Sequence, residues 1–559
     1  MKKCSQCNRA YFDETLNYCL DDGTSLVYAP STEPQTAILP GVLDVAETPT
    51  KTLGETDAEP AGNEQGGRQG RSGRALISVF AIVVLIAGGF LGYRYLGAKN
   101  TKQIDSVAVM PFVNESGNPD IEYLSDGITE SLISSLSRLP NLTVKPRSTV
   151  FRYKGKNTDA AALGKELNVM AILNGTVALR GADTAMHVEL IDTALDTVLW
   201  SADYKRPLSD LAALQSEIAR DVSTRLKSKL SGFEQRQLTS DYASNTGAYQ
   251  LYLKGKFYSN KRTKNDINRS IEYFDQAVAA DPDYAPAYAG LADVYRYLPG
   301  FDPLISSRDS AIKARENARK ALSLNDELAE AHMSIGSILQ DIDYDFAGAE
   351  REFKRAIDLE PNNGAAHASY AHLMATSGRT DEAAVHFKRA LELEPVSVTI
   401  SRSYGNFLML TRRYDESLEQ AKKTLELDPT FVLGYFSLAN VYQLQGKYAE
   451  TAESYAKSQD IRGNTQGATL IRESFAKGGW KGLLRTMVEA PRLTEMRPPY
   501  IRGTYYSWLG EKDKALDELE KAYEERSTFI PILKIDPRLD PLRNEPRFQQ
   551  LVKKVGFPE

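Results

Sequence analysis

The chain has 559 residues, which is too long for a single hydrophobic core, so several domains are expected. The apolar fraction of 42% and the charged fraction of 25% are typical of folded protein. The net charge of -6 gives no basic footprint, so DNA or RNA is not expected as a partner.

The first 28 residues have the spacing of a metal site. Cys4 and Cys7 are separated by two residues, and Cys19 and Asp22 repeat that spacing. A C-x2-C hook presents two thiolates to a tetrahedral zinc ion within one tight turn, and a carboxylate oxygen can replace the fourth thiolate. The segment resembles a zinc ribbon and predicts one structural zinc held by these four residues. The alternative is a degenerate ribbon that holds no metal.

The next two segments are not predicted to form a globular domain. Residues 29–74 are rich in Pro, Thr, Glu, Gly and Gln, which predicts a disordered linker. Residues 75–96 contain 19 consecutive uncharged residues, Ala75–Tyr93, which span about 28 Å as a helix, close to the thickness of bilayer hydrocarbon. We expect a single transmembrane helix here, rather than a buried soluble helix or a cleaved signal peptide.

Basic residues do not decide the orientation of this helix, because three precede it and three follow it. All three cysteines lie in the first 19 residues, and thiolates survive best in a reducing cytosol. We therefore expect a protein of the cytoplasmic (inner) membrane, with its N-terminus in the cytoplasm and its C-terminal domains periplasmic or extracellular. Gly88 and Gly92 form a G-x-x-x-G motif, which would allow a homodimer.

Residues 101–232 alternate between strand and helix patterns and predict an α/β domain. β-branched alternation over 104–113 predicts a buried strand, and leucine and isoleucine at helical spacing over 121–139 predict a helix. The remaining expected elements are strands at 142–145 and 171–179, a helix at 160–167, a hairpin of 186–191 with 197–203, and a closing helix at 211–230.

Four stretches of this domain match a known family. They are Val107–Phe112, Tyr123–Leu132, Arg147–Gly155 and Ile172–Val177. Together they resemble the TolB-like N-terminal domain, which is similar to FlgO and CsgG-type domains. The resemblance implies a coupling or docking module of a bacterial envelope protein, and it brings no catalytic residues. In chains of that kind the domain often lies between an output module and a repeat array, whereas here a small ribbon takes the place of the output module.

From residue 245 to 463 the chain repeats itself every 34 residues, marked by Pro361, Pro395 and Pro429. Each unit has small residues and an aromatic residue where two paired helices would touch. The period and pattern resemble the tetratricopeptide family, which implies an all-α solenoid. Residues 464–559 are expected to form degenerate helical repeats and a C-terminal cap.

Similar arrays bind extended or helical peptides on the concave surface formed by the first helix of each pair. The polar residues at groove-facing positions, predicted to bind a partner, are Asp293, Arg296, Ser337, Gln340, His372, Arg402, Asn406, Asn440 and Gln443. Asn406 and Asn440 are the sharpest candidates, because an amide can donate to and accept from a peptide backbone at once. The alternative is simple solvation of a concave face.

The sequence contains no phosphate-binding loop, dinucleotide fingerprint, zincin motif or nucleophile elbow, so an enzyme is not expected. The fold class predicted is multidomain: a small zinc ribbon, one transmembrane helix, an α/β domain and an all-α tetratricopeptide solenoid. The function predicted is that of a non-enzymatic, membrane-anchored scaffold that binds protein or peptide partners. The main alternative is a transmembrane sensor that binds a small ligand through the α/β domain.

Overall fold

A computed structural model describes most of the chain beyond residue 103. The described ranges are 104–139, 142–156, 158–226, 245–261, 263–300, 305–490 and 498–558, together with three short strands near the N-terminus. The predicted linker and membrane helix, residues 29–74 and 75–96, lie outside these ranges. Among the residues that are described, no helix has both the length and the apolar character needed to cross a bilayer.

The chain divides into two units, residues 1–99 and residues 100–559. In the first unit, strand β1 (Lys2–Cys4) pairs antiparallel with β2 (Ala10–Tyr11) on one side and with β3 (Leu26–Tyr28) on the other. The predicted metal ligand Cys4 belongs to β1, whereas Cys7, Cys19 and Asp22 lie outside the described residues.

The second unit begins with a mixed sheet and its helices. The strands are β4 (Ser106–Val109), β5 (Val113–Asn114), β6 (Thr143–Val144), β7 (Ala171–Arg180), β8 (Asp183–Asp192) and β9 (Thr197–Pro207). The helices are α1 (Glu122–Ser137), α2 (Arg147–Val150), α3 (Ala160–Leu167) and α4 (Leu211–Leu226). The strand order is β6-β4-β7-β8-β9, with β5 paired to β7. β4 is parallel to β6 and β7, while β7, β8 and β9 form an antiparallel meander.

The core of this α/β domain lies between β4 and α1. Val107 and Val109 of β4 are fully buried, and so are Leu124 and Ile128 on the apolar face of α1. This burial is the physical reason for the helical spacing of apolar residues in the sequence, because residues three or four apart share one face of a helix. The predicted α/β region is therefore present, with its helix beginning one residue later than expected.

The rest of the unit is a stack of antiparallel helix pairs. The pairs are α5 (Thr246–Lys261) with α6 (Lys264–Ala280), α7 (Ala285–Tyr297) with α8 (Ser307–Leu324), α9 (Ala329–Ile338) with α10 (Phe346–Leu359), α11 (Gly364–Thr376) with α12 (Thr380–Leu393), α13 (Val398–Leu410) with α14 (Tyr414–Leu427), and α15 (Val432–Leu444) with α16 (Tyr448–Ile461). The predicted all-α solenoid is confirmed.

Small residues allow the paired helices to approach an aromatic side chain closely. Phe274 of α6 is fully buried between Gly255 and Gly290, and a Cβ atom placed on either glycine would come within 2.6 Å of its ring. Gly336 and Phe353 repeat this contact in the third pair. The alternation of small and aromatic residues in the sequence therefore records the contacts between helices.

The third repeat has one residue more than the fourth, because Gly336 and the equivalent Ala371 are 35 positions apart, whereas Ala371 and Gly405 are 34 apart. The extra residue is accommodated by a π-helical turn, Leu339–Asp343, at the end of α9. The turn ends at Tyr344, which has a left-handed backbone with φ of 60°.

The C-terminal elements fold back onto the solenoid. They are α17 (Thr465–Glu489), broken at Gly479, α18 (Pro499–Leu509) paired with α19 (Lys512–Glu524), two 3-10 turns (Ile530–Ile532 and Pro537–Leu542) and α20 (Pro546–Val555). Tyr523 stacks on Tyr344 with ring centroids 5.7 Å apart, and Phe557 lies 5.5 Å from Phe346. The end of the chain thus contacts the third helix pair.

Candidate partner-binding groove

The first helices of successive pairs, α5, α7, α9, α11, α13 and α15, contact one another and form the inner layer of the solenoid. All nine predicted partner-binding residues lie on these helices or on the π turn that extends α9. We call the surface that they line the groove. Its polar residues fall into three groups along the solenoid axis.

The first group contains Asp293, Arg296 and Asp341, and the first two of these form an ion pair. Arg296 Nη2 donates to Asp293 Oδ1 at 2.9 Å. Asp341, on the π turn, is half-buried, and burial raises the pKa of its carboxyl to about 7, although the charge of Arg296 opposes this effect. Asp341 was not singled out from the sequence, because its position depends on the π turn.

The second group runs across three repeats. Gln340 is 2% exposed, and its Nε2 lies 2.7 Å from His372 Nδ1. Burial and the nearby charge of Arg402 lower the pKa of His372 to about 4, so the ring is neutral at pH 7. Gln340 therefore donates to Nδ1, which leaves the proton on His372 Nε2. Ser337, one turn before Gln340, is half-buried.

Arg402 completes this second group without a counter-charge. Its Nε is buried and has no hydrogen-bond partner among the described residues, and burial lowers the pKa of the guanidinium. No carboxylate in the described ranges forms an ion pair with it. Gln340, His372 and Arg402 together are referred to below as the polar line.

The third group is engaged by the protein itself. Asn406 Oδ1 accepts a hydrogen bond from Ser437 at 2.9 Å. Asn440 Oδ1 accepts from Tyr455 at 3.3 Å and from Arg538 Nη1 at 3.4 Å. Gln443 is 1% exposed, with neither amide atom bonded in the described structure. The two asparagines that the sequence ranked first are thus already hydrogen-bonded, one of them to the C-terminal segment.

A buried ion pair lies within the C-terminal segment, residues 498–558, and one of its partners, Arg538, bonds to Asn440 of the groove. Asp536 is fully buried and Arg538 is 4% exposed, and the Arg538 Nη2 lies 2.7 Å from the carboxylate. Tyr500 donates to the same carboxylate at 3.0 Å. At the surface, Arg412 adds a bidentate pair with Asp540 at 2.7 and 2.9 Å.

The α/β domain docks near the opposite end of the solenoid. Lys256 of α5 lies 3.2 Å from Glu130 of α1 and 3.0 Å from Glu330 of α9. Burial alone would lower the pKa of Lys256, but these two carboxylates outweigh it and raise the pKa well above its ordinary value.

Two further hydrogen bonds extend this contact along the turns between repeats. Asn362 donates to the carbonyl of Leu142 at 3.1 Å, and Ser148 donates to Glu394 at 2.7 Å. Sequence spacing gives no signal for such pairs, because their partners lie in different domains.

The residues of the polar line do not line the cavity beside the C-terminal segment. This cavity has a volume of about 500 Å³ and is lined by Leu410, Arg412, Ile535 and Phe548, among others. Among the described residues, no group of three histidine, cysteine or acidic side chains is arranged to hold a metal.

Comparison with known families assigns parts of the chain. Models of the tetratricopeptide repeat match residues 343–397, 375–431 and 421–453, so the solenoid contains tetratricopeptide repeats. Residues 102–221 match the second domain of HilA/YgeH-like transcriptional regulators. The expected TolB-like assignment of the α/β domain stays a prediction.

Individual proteins are similar over part of the chain. The putative adenylate cyclase 3 of Rhizobium meliloti (strain 1021) is 29% identical over 242 residues, which is 42% of this chain and 40% of that protein. The crystal structure of PilW, a type IV pilus biogenesis factor, covers 41% of this chain and 100% of its own, with 18% identity and a TM-score of 0.33. YrrB, a tetratricopeptide protein with an unusual peptide-binding site, covers 36% of this chain and 97% of its own, with 20% identity and a TM-score of 0.24.

Proposed function

We propose that this protein is a non-enzymatic scaffold that binds a protein partner through the groove of its tetratricopeptide solenoid. The observation that carries the proposal is the polar line, in which Gln340 and His372 are hydrogen-bonded to each other while Arg402 has no counter-charge. A half-buried cation without a partner is costly in the free protein, and a bound chain would remove that cost.

The groove residues on either side of the polar line are engaged by the protein itself. On one side of it Asp293 and Arg296 are paired, and on the other side Asn440 bonds to Arg538. A partner bound at the polar line would be recognised by hydrogen bonds to residues of three successive repeats.

The proposal also includes a membrane location for the protein and a zinc site near its N-terminus. A single helix at residues 75–96 would anchor the scaffold in the cytoplasmic membrane, with the groove periplasmic or extracellular, and zinc would bind Cys4, Cys7, Cys19 and Asp22. A reporter fused after residue 100 should be active only outside the cytoplasm. Metal analysis of the reduced full-length protein should find one zinc, and substitution of Cys7 by Ser should remove it.

Site-specific photocrosslinking tests the groove in cells. A photoreactive residue at Ser337, which is half-buried beside the polar line, should give a discrete adduct. The same residue at Val385, which is 65% exposed on α12 outside the inner layer, serves as the matched control. The proposal is wrong if Ser337 gives no adduct, or if both positions give the same adducts.

A second function, a sensor that binds a small ligand through the α/β domain, is favoured by the comparisons. The matched relative is named as a putative cyclase and the matched family as transcriptional regulators, and both names describe signalling outputs. The Glu130–Lys256–Glu330 contacts would couple the α/β domain to the repeats. A metabolite that raises the melting temperature and changes hydrogen exchange in α5 would favour the sensor over the scaffold.

A further inference from the structure

The cavity beside the C-terminal segment has apolar walls from two parts of the chain. Leu410, at the end of α13, is 7% exposed, and Phe548 of α20 is 2% exposed. Ile535 and Val552, on the C-terminal side, are half-buried. The volume of about 500 Å³ lies within the range of small-molecule sites, which is about 300 to 1,000 Å³. The cavity is therefore large enough for a small organic ligand.

The charged residues that line this cavity are all cations, namely Arg412, Lys534 and Arg543. One carboxylate lies beside them, that of Asp540. It accepts from both Nη atoms of Arg412 at 2.7 and 2.9 Å and from Nε of Arg543 at 3.2 Å. Three cations against one carboxylate leave a surplus of two positive charges at the cavity. An anion would remove part of that surplus.

Lys534 is the cation with hydrogen-bond donors to spare. Arg543 donates to three main-chain carbonyls in addition to Asp540. The Lys534 side chain is exposed, and no carboxylate in the described ranges forms an ion pair with it. Its ammonium, which has three donors, lies 3.5 Å from the carbonyl of Pro558 and 6.0 Å from the ring of Phe557. Lys534 can therefore bind an anion without giving up an ion pair.

Arg412 occupies a turn position where the neighbouring repeats have glycine. Its backbone is left-handed, with φ of 66°, whereas Gly378 and Gly446, 34 positions before and after it, have φ of 82° and 74°. Glycine adopts this conformation readily, but a side chain strains it. Strained residues of this kind cluster at functional sites, where surrounding contacts hold them. In the fifth helix pair the strained residue places a guanidinium at the cavity.

We infer that this cavity binds a small carboxylic acid with an apolar body. Leu410, Phe548 and Val552 would enclose the body, and the ammonium of Lys534 would donate charge-assisted hydrogen bonds to the carboxylate. A cationic ligand would be repelled by the surplus positive charge, and a neutral ligand would leave that charge uncompensated. The site is separate from the polar line and from the α/β domain, so it goes beyond both functions proposed above.

The test compares three probes of one size on full-length protein in phosphatidylcholine nanodiscs, by calorimetric titration with empty nanodiscs as the blank. The probes are phenylbutyrate, phenylbutanol and phenylbutylamine. We expect phenylbutyrate to bind at least about tenfold more tightly than phenylbutanol, and phenylbutylamine to show no binding. Equal binding of the acid and the alcohol, or no binding of phenylbutyrate at millimolar concentration, would overturn the inference.

Variants of the protein localise the effect. Lys534→Gln should weaken phenylbutyrate by about tenfold and leave phenylbutanol unchanged, because only the charge is lost. Val552→Phe should weaken both probes by filling the cavity. Lys553→Gln, at an exposed lysine of α20 that does not line the cavity, should change neither. Unchanged phenylbutyrate binding in Lys534→Gln would refute this site.

Hydrogen exchange places the ligand in the unmodified protein. Phenylbutyrate should slow exchange in residues 533–536 and in α20, which line or flank the cavity, and should leave α12 as it was. Protection confined to other parts of the chain would show that the probe binds elsewhere, and the inference would then be wrong.

Discussion

Replacing Asp341 by Asn should stabilise the protein at alkaline pH. Burial raises the pKa of the Asp341 carboxyl from its ordinary value of 3.8 to about 7, so the ionised form destabilises the folded state. That destabilisation is complete above pH 7 and fades as the pH falls towards 3.8. The pKa change corresponds to at most about 4 kcal/mol, and because the side chain is half-buried, solvent screening should leave about 1 to 2 kcal/mol.

The titration of His372 has the opposite sign. Its pKa falls from 6.5 to about 4, so the stability it contributes is present above pH 6.5 and is lost as the pH falls towards 4. In the native protein the two groups oppose each other between pH 4 and 6.5. In Asp341→Asn the effect of His372 is unopposed, so the variant should lose stability more steeply on acidification.

Thermal unfolding of both proteins between pH 4.5 and 8.5 measures this directly. The variant should melt a few degrees higher at pH 8, and the difference should shrink by more than half at pH 5. Glu316→Gln, at an exposed carboxylate on α8, is the control and should show no such dependence. A difference in melting temperature that does not change with pH would refute the reasoning.

Three further outcomes follow from packing and ion pairs. Gly290→Val should lower the free energy of unfolding by about 1 to 3 kcal/mol, measured in urea, because its side chain would collide with Phe274. Asp536→Asn should lower the free energy of unfolding by about 3 to 5 kcal/mol, because it leaves Arg538 buried without a counter-charge. It should also increase hydrogen exchange over the two 3-10 turns. An unchanged exchange pattern would show that the ion pair does not stabilise these turns. Lys256→Met should increase exchange in α1 and leave α15 as it was, whereas equal increases in both would contradict a local docking contact.

The solenoid and the core of the α/β domain could be predicted from the sequence because both depend on local periodicity. The 34-residue spacing and the small and aromatic positions reflect contacts between neighbouring helices, such as Gly336 with Phe353. The apolar stripe of α1 likewise records one buried face, with Leu124 and Ile128 fully enclosed. Such signals survive in a sequence because every repeat must satisfy the same packing.

The state of each groove residue could not be predicted in the same way. Repeat position places Asn440 on the inner face, but the Arg538 that bonds to it is distant in the sequence. The 35-residue spacing shows that the third repeat has one residue more than the fourth, but it does not show that a π turn places Gln340 against His372. The position of a residue in its repeat predicts which face of the helix its side chain lies on, whereas its hydrogen-bond partners depend on tertiary contacts.

The contact of the C-terminal elements with the third helix pair has a mechanical consequence. An open solenoid behaves as a spring, since each repeat touches only its neighbours and small rotations add up along the axis. Here three contacts join the C-terminal elements to the third helix pair. Tyr523 stacks on Tyr344, Phe557 packs against Phe346, and Arg526 donates to the carbonyl of Ile342. Tension applied along the solenoid would therefore have to break these contacts before the repeats between the third pair and the C-terminal elements could move apart.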